Sequence, residues 1–232
     1  DDNSTDGTKE EIEKIPKVEV ISGNGSLFYS GGMRNAIENA KQKQEEFDYC
    51  LLFNDDVDFA DGAIEYLTQK DCTKIWVGPT CDENNQLSYG GILKTSKWRP
   101  NPEIVKAEIA EGRKCDTFNA NCVLIPWDIF KELDNIDPVY THSMGDFDYG
   151  FSAVRKGYEI RVSEKFVGVC VDNPVQNSWR NTEFSRKKRF SMKESPKGLP
   201  GKEWFHYLNK NYQFFTAVVY SMIPYLRILM KK

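Results

Sequence analysis

Three clusters of carboxylates stand along this chain of 232 residues: DDNSTDGT at 1–8, NDDV at 54–57 and HSMGDFDYG at 142–150. In the second, Asp55, Asp56 and Asp58 crowd the exit of the apolar run YCLLF (49–53). Like charges this close repel and raise one another's pKa, so either a cation joins them or the stretch is a wet turn. Each cluster also has a plain reading. DDNSTDGT is rich in the residues that favour turns. Asp146 suits the cap of a helix. A calcium loop of the EF-hand kind fails on spacing, because counting from Asp56 its glycine and glutamate places hold Asp61 and Leu67. Taken together and in order, the three clusters point to a site at which charge is handled.

The elements around them are expected to alternate. VEVIS (18–22), YCLLF, KIWVGP (74–79), TFNANCVLIP (117–126), YEIRV and FVGVCV read as strands. Helices are expected over 32–46, with Met33, Ile37 and Ala40 on one face, over FADGAIEYLTQK with Asp61 as N-cap, over WDIFKEL, and over 146–156 with Gly157 as the stop. The polar stretch 80–100 reads as a hairpin or loop excursion. This alternation predicts an α/β domain with a mostly parallel sheet and helices on both faces, and in such sheets ligands bind beyond the carboxyl ends of the strands. The opening residues read as a loop that follows a strand, so the sequence is expected to begin inside a domain.

Composition argues for a packed core: 40% hydrophobic and 13% aromatic exclude disorder. Cys50, Cys122 and Cys170 lie in apolar runs, and the six cysteines form no CxxC pair, which suits reduced thiols in a reducing cytoplasm. Residues 180–232 carry 12 Lys/Arg against 3 Asp/Glu, a balance of +9, so the rest carries −13 of the total −4. The body is acidic and the tail basic; the tail is a solvated charge run or a surface facing phosphate or anionic lipid. An acidic body without a recognised module excludes a nucleic-acid role. Residues 174–203 read as an extended basic arm. The stretch after it is aromatic, but its charge-free run, 214–226, is shorter than the ~20 residues that span a bilayer, and Pro224 is expected to break or kink it. It reads as an amphipathic helix in the membrane interface, or else as a helix packed on the domain itself.

In order and spacing, DDNSTDGT, FNDDV and GDFDYGFSAVRKGY resemble the motifs of family 2 glycosyltransferases of the GT-A fold, and SGGMRNAI (30–37) resembles that family's Gly-rich Arg-Asn segment. NPVQNSWR, SPKGLPGKEW and IPYLRIL resemble the tails of bacterial, membrane-associated members that build surface polysaccharides. The resemblance covers most of the chain and starts after the family's first strand. It implies a catalytic domain over 1–173 and a basic, aromatic tail over 174–232. It also implies roles: Asp1 and Asp2 at the base and ribose of a sugar nucleotide, Arg34 near its phosphates, Asp55 by the sugar or ribose, and Asp56 on a divalent cation. Asp146 would be the general base on the acceptor hydroxyl. Gly91, in YGGIL, and Trp179 and Arg180 are candidates for acceptor contacts. Mg²⁺ or Mn²⁺ fits better than zinc, because no His/Cys ligand set stands in the sequence. The expected partners are a nucleotide-sugar donor, a glycan or lipid-diphosphate acceptor and the inner face of the cell membrane.

The chain departs from the pattern at Asn54, where the family often has Asp, and at Gly145, where many members have Glu. It also has no His after the last strand, where Asp172 is the candidate substitute. His142 and His206 are read as structural or acceptor-side. A nucleotidyltransferase is the enzymatic rival, though its basic phosphate loop is not visible; a nucleotide-sugar-binding module without catalysis is the other.

Overall fold

The computed structural model describes residues 1–105, 112–171 and 178–230. Its strands are β1 (Tyr49–Phe53), β2 (Asp58–Phe59), β3 (Ile75–Val77), β4 (Thr80–Cys81), β5 (Gly91–Lys94), β6 (Pro102–Ile104), β7 (Arg113–Cys115), β8 (Thr117–Phe118), β9 (Cys122–Pro126), β10 (Ile160–Val162) and β11 (Gly168–Val169). Its helices are α1 (Thr8–Ile12), α2 (Phe28–Gln42), α3 (Ala63–Thr68), α4 (Trp127–Glu132), α5 (Gly145–Arg155), α6 (Arg186–Glu194), α7 (Gly201–Asn211) and α8 (Phe214–Met230).

The main sheet runs β1-β9-β3-β10-β7. Its side chains divide with the period of two that a strand imposes. Leu52, Val123, Val77 and Val162 face one way, with α2, α4 and α5. Leu51, Leu124 and Trp76 face the other, with Ala63 and Leu67 of α3. Burying each such aliphatic side chain stabilises by about 1.5–3 kcal/mol, so slipping a strand by one residue would forfeit the whole row. Helices on both faces are as expected. The expected parallel sheet is not: among the described residues only the β3–β10 pair of this sheet is parallel, while β1–β9, β3–β9 and β7–β10 are antiparallel. Alternating strands and helices do not dictate direction when β9 inserts between β1 and β3.

Other expectations are corrected locally. VEVIS forms no ladder; Asp1 serves that segment instead, its amino group donating to the Ile21 carbonyl and its own carbonyl accepting from Gly23. The helix expected over 32–46 begins earlier, at Phe28, with Ile37 buried and Met33 and Ala40 against the core as anticipated. The N-cap of α3 is Gly62, at φ 70°, not Asp61. Residues 80–100 do turn back as expected, through an antiparallel Cys81–Leu87 bridge after β4, and then enter β5 in another sheet. TFNANCVLIP is two strands, β8 and β9, broken at Asn119–Asn121.

The basic arm is partly helical, because Ser185 accepts the amide of Lys188 and caps α6. Pro224 does not stop α8. A proline lacks the N–H that would reach the carbonyl four residues back, and here the indole Nε1 of Trp204 donates to that carbonyl, Tyr220 O, at 3.1 Å. No helix of the described residues is long and apolar enough to cross a membrane.

Trp204→Phe should lower stability by about 1–3 kcal/mol, the cost of an orphaned carbonyl. In a Pro224→Ala background the new amide can serve Tyr220 O, so the cost should shrink. Thermal unfolding of the four proteins checks this, and an equal cost in both backgrounds would contradict it.

Candidate functional site

β1 and β9 pair as far as Phe53 opposite Cys122. Beyond that point the ladder gives way to the Asn119–Asn121 break, and the break carries the site. The Ala120 amide donates to Oδ2 of Asp146 at 3.2 Å. The Asn121 carbonyl accepts the amide of Asn54 at 3.3 Å. The Asn121 side chain donates to Sγ of Cys170 at 3.3 Å, and that sulfur lies 3.6 Å from Oδ1 of Asp56. Three residues of irregular backbone thus bring the second and third acidic clusters to one place.

The first cluster joins through the start of α2. Asp2 accepts the amides of Gly25 (2.7 Å), Leu27 (2.9 Å) and Phe28 (3.1 Å). Desolvation opposes its charge, but these amides and that of Ser26 hold its carboxyl below the usual range. Gly23 is required here, because a Cβ would sit 2.4 Å from Asp2 Oδ1. The next turn then docks on the third cluster: the Tyr29 amide donates to Nδ1 of His142 at 3.4 Å and the Ser30 hydroxyl to the His142 carbonyl at 2.8 Å. Burial, then Lys197, lowers the His142 pKa. Ser30 also explains Gly145, where a Cβ would meet Ser30 Oγ at 2.4 Å, so the glutamate of the pattern has no room.

Asp146 is half-buried in the first turn of α5. It is not the cap: Met144 holds that position at φ 69°, and Asp146 Oδ1 accepts the amide of Phe147. Burial pushes its carboxyl up to about 6, against the pull of the Ala120, Phe147 and Asp146 amides. Asp148, two residues on, plays no part in this. It is buried on the far side of the helix, where Lys210 (2.7 Å) and Asn211 (2.8 Å) neutralise and bind it. The group that does link Asp146 to the second cluster is Tyr29. Its hydroxyl is buried without a hydrogen-bond partner, and its pKa is driven well above the ordinary value by burial first, then by Asp146 and Asp56. Its hydroxyl therefore keeps its proton, within electrostatic reach of both carboxylates.

The remaining predicted residues fall in different places. Asp1 accepts the Ser4 amide at 3.2 Å. Asp55 and Asp56 are exposed. Arg34 donates to the carbonyls of Asp137 (3.1 Å), Tyr140 (3.4 Å) and Ile136 (3.5 Å), and so staples α2 to the loop before α5. Gly91 is buried in β5, where a Cβ would collide with Val162 and Cys115; its part is close packing, not an open surface. Trp179 is buried, its carbonyl accepting from Arg189, with the exposed Arg180 5.5 Å over its ring. Asp172 lies outside the described residues. His206 pairs with Asp137. A cavity of ≈ 590 Å³ lies at the other end of β1, lined by Tyr49, Cys72 and Trp127, away from these carboxylates.

No group of three His, Cys, Asp or Glu able to hold a metal occurs among the described residues. A hard cation that keeps its waters and a ligand's phosphates needs only one or two protein carboxylates. Asp56 meets that need, and two residues away Asn54 Oδ1 is buried with no partner, so the donor set fits a loosely held Mg²⁺ or Mn²⁺. Sequence reasoning missed Tyr29, Ala120, Asn121 and Cys170. Their contributions come from a backbone amide, a strand break and a register, none of which leaves a pattern of types; the aromatic pair before a Gly-rich segment, FYSGG, was the one visible sign.

Residues 1–97 match the family model described as glycosyl transferase family 2. No curated protein matches the chain. The family match takes in the first two clusters and ends before the third, whose place in the site is carried by the contacts above. The match supports a glycosyltransferase, which uses a nucleotide-sugar donor and an acceptor, and the mixed α/β architecture is consistent with it.

The raised pKa of Asp146 has a consequence for stability. Its folded value, about 6, lies above the ordinary 3.8, so the native state binds more protons in between. The benefit of the protonated carboxyl is full below about pH 4 and lost as the pH rises through about 6. Asp146→Asn should therefore gain about 1–3 kcal/mol on the wild type across that window, with discount for solvent contact, and nothing more above it. Urea titrations at several pH values test this; a difference independent of pH would refute it.

Proposed function

We propose that the chain is an inverting glycosyltransferase of the GT-A fold. It would move a sugar, of the hexosyl class, from a nucleotide-diphosphate donor to a glycan or lipid-linked acceptor in polysaccharide biosynthesis. The observation that carries this reading is the strand break that brings Asp146, through the Ala120 amide, and Asp56, through Asn121 and Cys170, to one place. An inverting displacement needs one carboxylate to take the acceptor proton while the nucleotide diphosphate departs. Asp146 would take it, and a base with a pKa raised toward the working pH suits the task. Tyr29 would hold its proton between the two carboxylates. Asp2, with both oxygens committed to amides, would shape the base and ribose loop, leaving Asp1 and Asp55 for direct contact. Arg34 would act by fixing α2 against the loop before α5. Bound at Asp56, Mg²⁺ or Mn²⁺ would neutralise the charge that develops on the leaving diphosphate.

The tail supports a membrane-peripheral location on the cytoplasmic face. One side of α8 packs on the body through Ala217 and Ile228, while Phe214, Phe215, Val218, Val219, Met222, Leu226, Leu229 and Met230 are exposed. The neighbouring α6, stacked on α8 through Phe190 and Tyr225, carries exposed Arg186, Lys187 and Lys188. An apolar helix face beside cations fits an anionic bilayer, where a lipid-diphosphate acceptor would be presented.

Thermal-shift measurements with UDP-, GDP- and dTDP-sugars and Mn²⁺ test the donor site, and no shift with any of them would count against it. With a responsive donor, Asp146→Asn should lower transfer by roughly 10²–10⁴ while the nucleotide shift persists; undiminished transfer would remove Asp146 as the base. For the tail, the protein should sediment with phosphatidylglycerol vesicles. Phe215→Glu should weaken that binding by roughly tenfold or more, the worth of one buried aromatic. A wild-type protein that ignores such vesicles would overturn the membrane reading.

A further inference from the structure

The thiol of Cys170 stands where the loop after the last strand meets the second acidic cluster. Two pairings put it there. β11 runs antiparallel to β2 with Val169 opposite Asp58, and parallel to β4 with Gly168 opposite Thr80. One step beyond Val169, Cys170 comes alongside the Asp56–Val57 turn, its amide held by the Cys81 carbonyl at 2.9 Å. Its Sγ is 3.6 Å from Asp56 Oδ1. Two ligands of one tetrahedral cation, with sulfur at about 2.3 Å and oxygen at about 2.1 Å, stand roughly 3.6 Å apart. The buried Asn121 amide donates to the same sulfur at 3.3 Å, and such a donor favours the charged form of a ligand and fixes its orientation.

Two further buried polar atoms belong to the segments around this pair. Asn54 Oδ1, two residues from Asp56, and the Tyr29 hydroxyl are both buried without a partner. Unsatisfied polar atoms are rare in interiors and mark places where water, an ion or a ligand completes the set.

We propose that Cys170 and Asp56 are adjacent ligands of one divalent cation, so that this site prefers thiophilic metals to Mg²⁺. The proposal rests on the donor-site reading above and changes the metal expected there, since thiolate favours softer ions whereas carboxylate and water alone suit Mg²⁺. On binding, the S–H bond is replaced by a sulfur–metal bond and the proton passes to solvent, with no change of oxidation state.

The test uses the full chain carrying Cys72→Ala, which removes the exposed thiol. Titration with Cd²⁺ alone should produce a sulfur-to-cadmium charge-transfer band in the ultraviolet and release a proton. Cys170→Ser should abolish the band and weaken Cd²⁺ binding by roughly 10–100-fold or more, at least what the loss of a supporting group costs a metal site. Asp56→Asn changes an exposed residue and should weaken binding while keeping a fainter band. A band that survives Cys170→Ser, or that is absent from the parent, would leave the thiol as a mere hydrogen-bond donor to Asp56 and overturn the proposal. Thermal shift with UDP, GDP and dTDP in Mn²⁺ separates the two readings. Nucleotide binding without a Cys170-dependent band sinks the metal pair alone, whereas a Cys170-dependent band without any nucleotide binding sinks the donor site and upholds the pair.

Discussion

Two peptide groups, one on either side of the Ala120–Asn121 peptide, hold this site together. The N–H of Ala120 is committed to Asp146 and the C=O of Asn121 to Asn54. The Asn121–Asn54 bond keeps the register of the β1–β9 ladder, in which Phe53 faces Cys122; had β8 and β9 continued as one strand, the Ala120 N–H would have been spent on a neighbouring ladder instead of on Asp146. The break frees one sheet donor for the Asp146 carboxylate, beside the loop that presents Asp55 and Asp56. It can do so because the strands on either side are fixed by burial: Phe118 below the break, and Cys122, Val123 and Leu124 above it, are almost wholly removed from water.

Around this break the chain accepts local costs. Phe28 at φ 52° and Met144 at φ 69° take a left-handed conformation that bulky residues seldom adopt. They begin and cap the two helices that carry Tyr29 and Asp146. Strain of this kind, worth about 1–3 kcal/mol a residue, persists only where surrounding bonds over-determine it. The Asp2 carboxylate does so for Phe28, by accepting its amide. Asp146 adds the cost of a carboxyl kept from water. These expenses gather in one small region, while the sheet beneath it is regular.

Much of this architecture could be read from residue order, and the failures are instructive. YCLLF, KIWVGP and the helix ending at Gly157 follow directly from apolar runs and a glycine stop, because burial and backbone sterics act locally. Strand direction does not follow, because β9 inserts between β1 and β3 through contacts some seventy and fifty residues away in sequence, which no local pattern encodes. The three acidic clusters were visible as residue types, but not their connection. Asp148 looked like a neighbour of Asp146 by spacing, yet two residues on a helix point to different sides, and it is committed to Lys210. Gly91 looked available by its flexibility and proves necessary for its lack of volume. Tyr29 and Cys170 act through position alone, one at a helix entrance and one by register, so composition gave them no more weight than any other aromatic or thiol.

The ties between α7 and the body bear on how far the chain can be trimmed. Glu203 accepts from the amide and hydroxyl of Thr141, and Lys210 and Asn211 donate to the buried Asp148, which Arg155 also approaches at 3.7 Å. An anion with its counter-charge removed is far more costly than a pair left whole. A protein shortened before residue 201, in order to discard the apolar α8, would leave the buried Asp148 with the longer Arg155 contact in place of its Lys210 and Asn211 bonds, and free the loop that leads into α5. The tail is therefore a buttress of the carboxylate site as well as an appendage to it, and its apolar face is better redesigned in place than cut away.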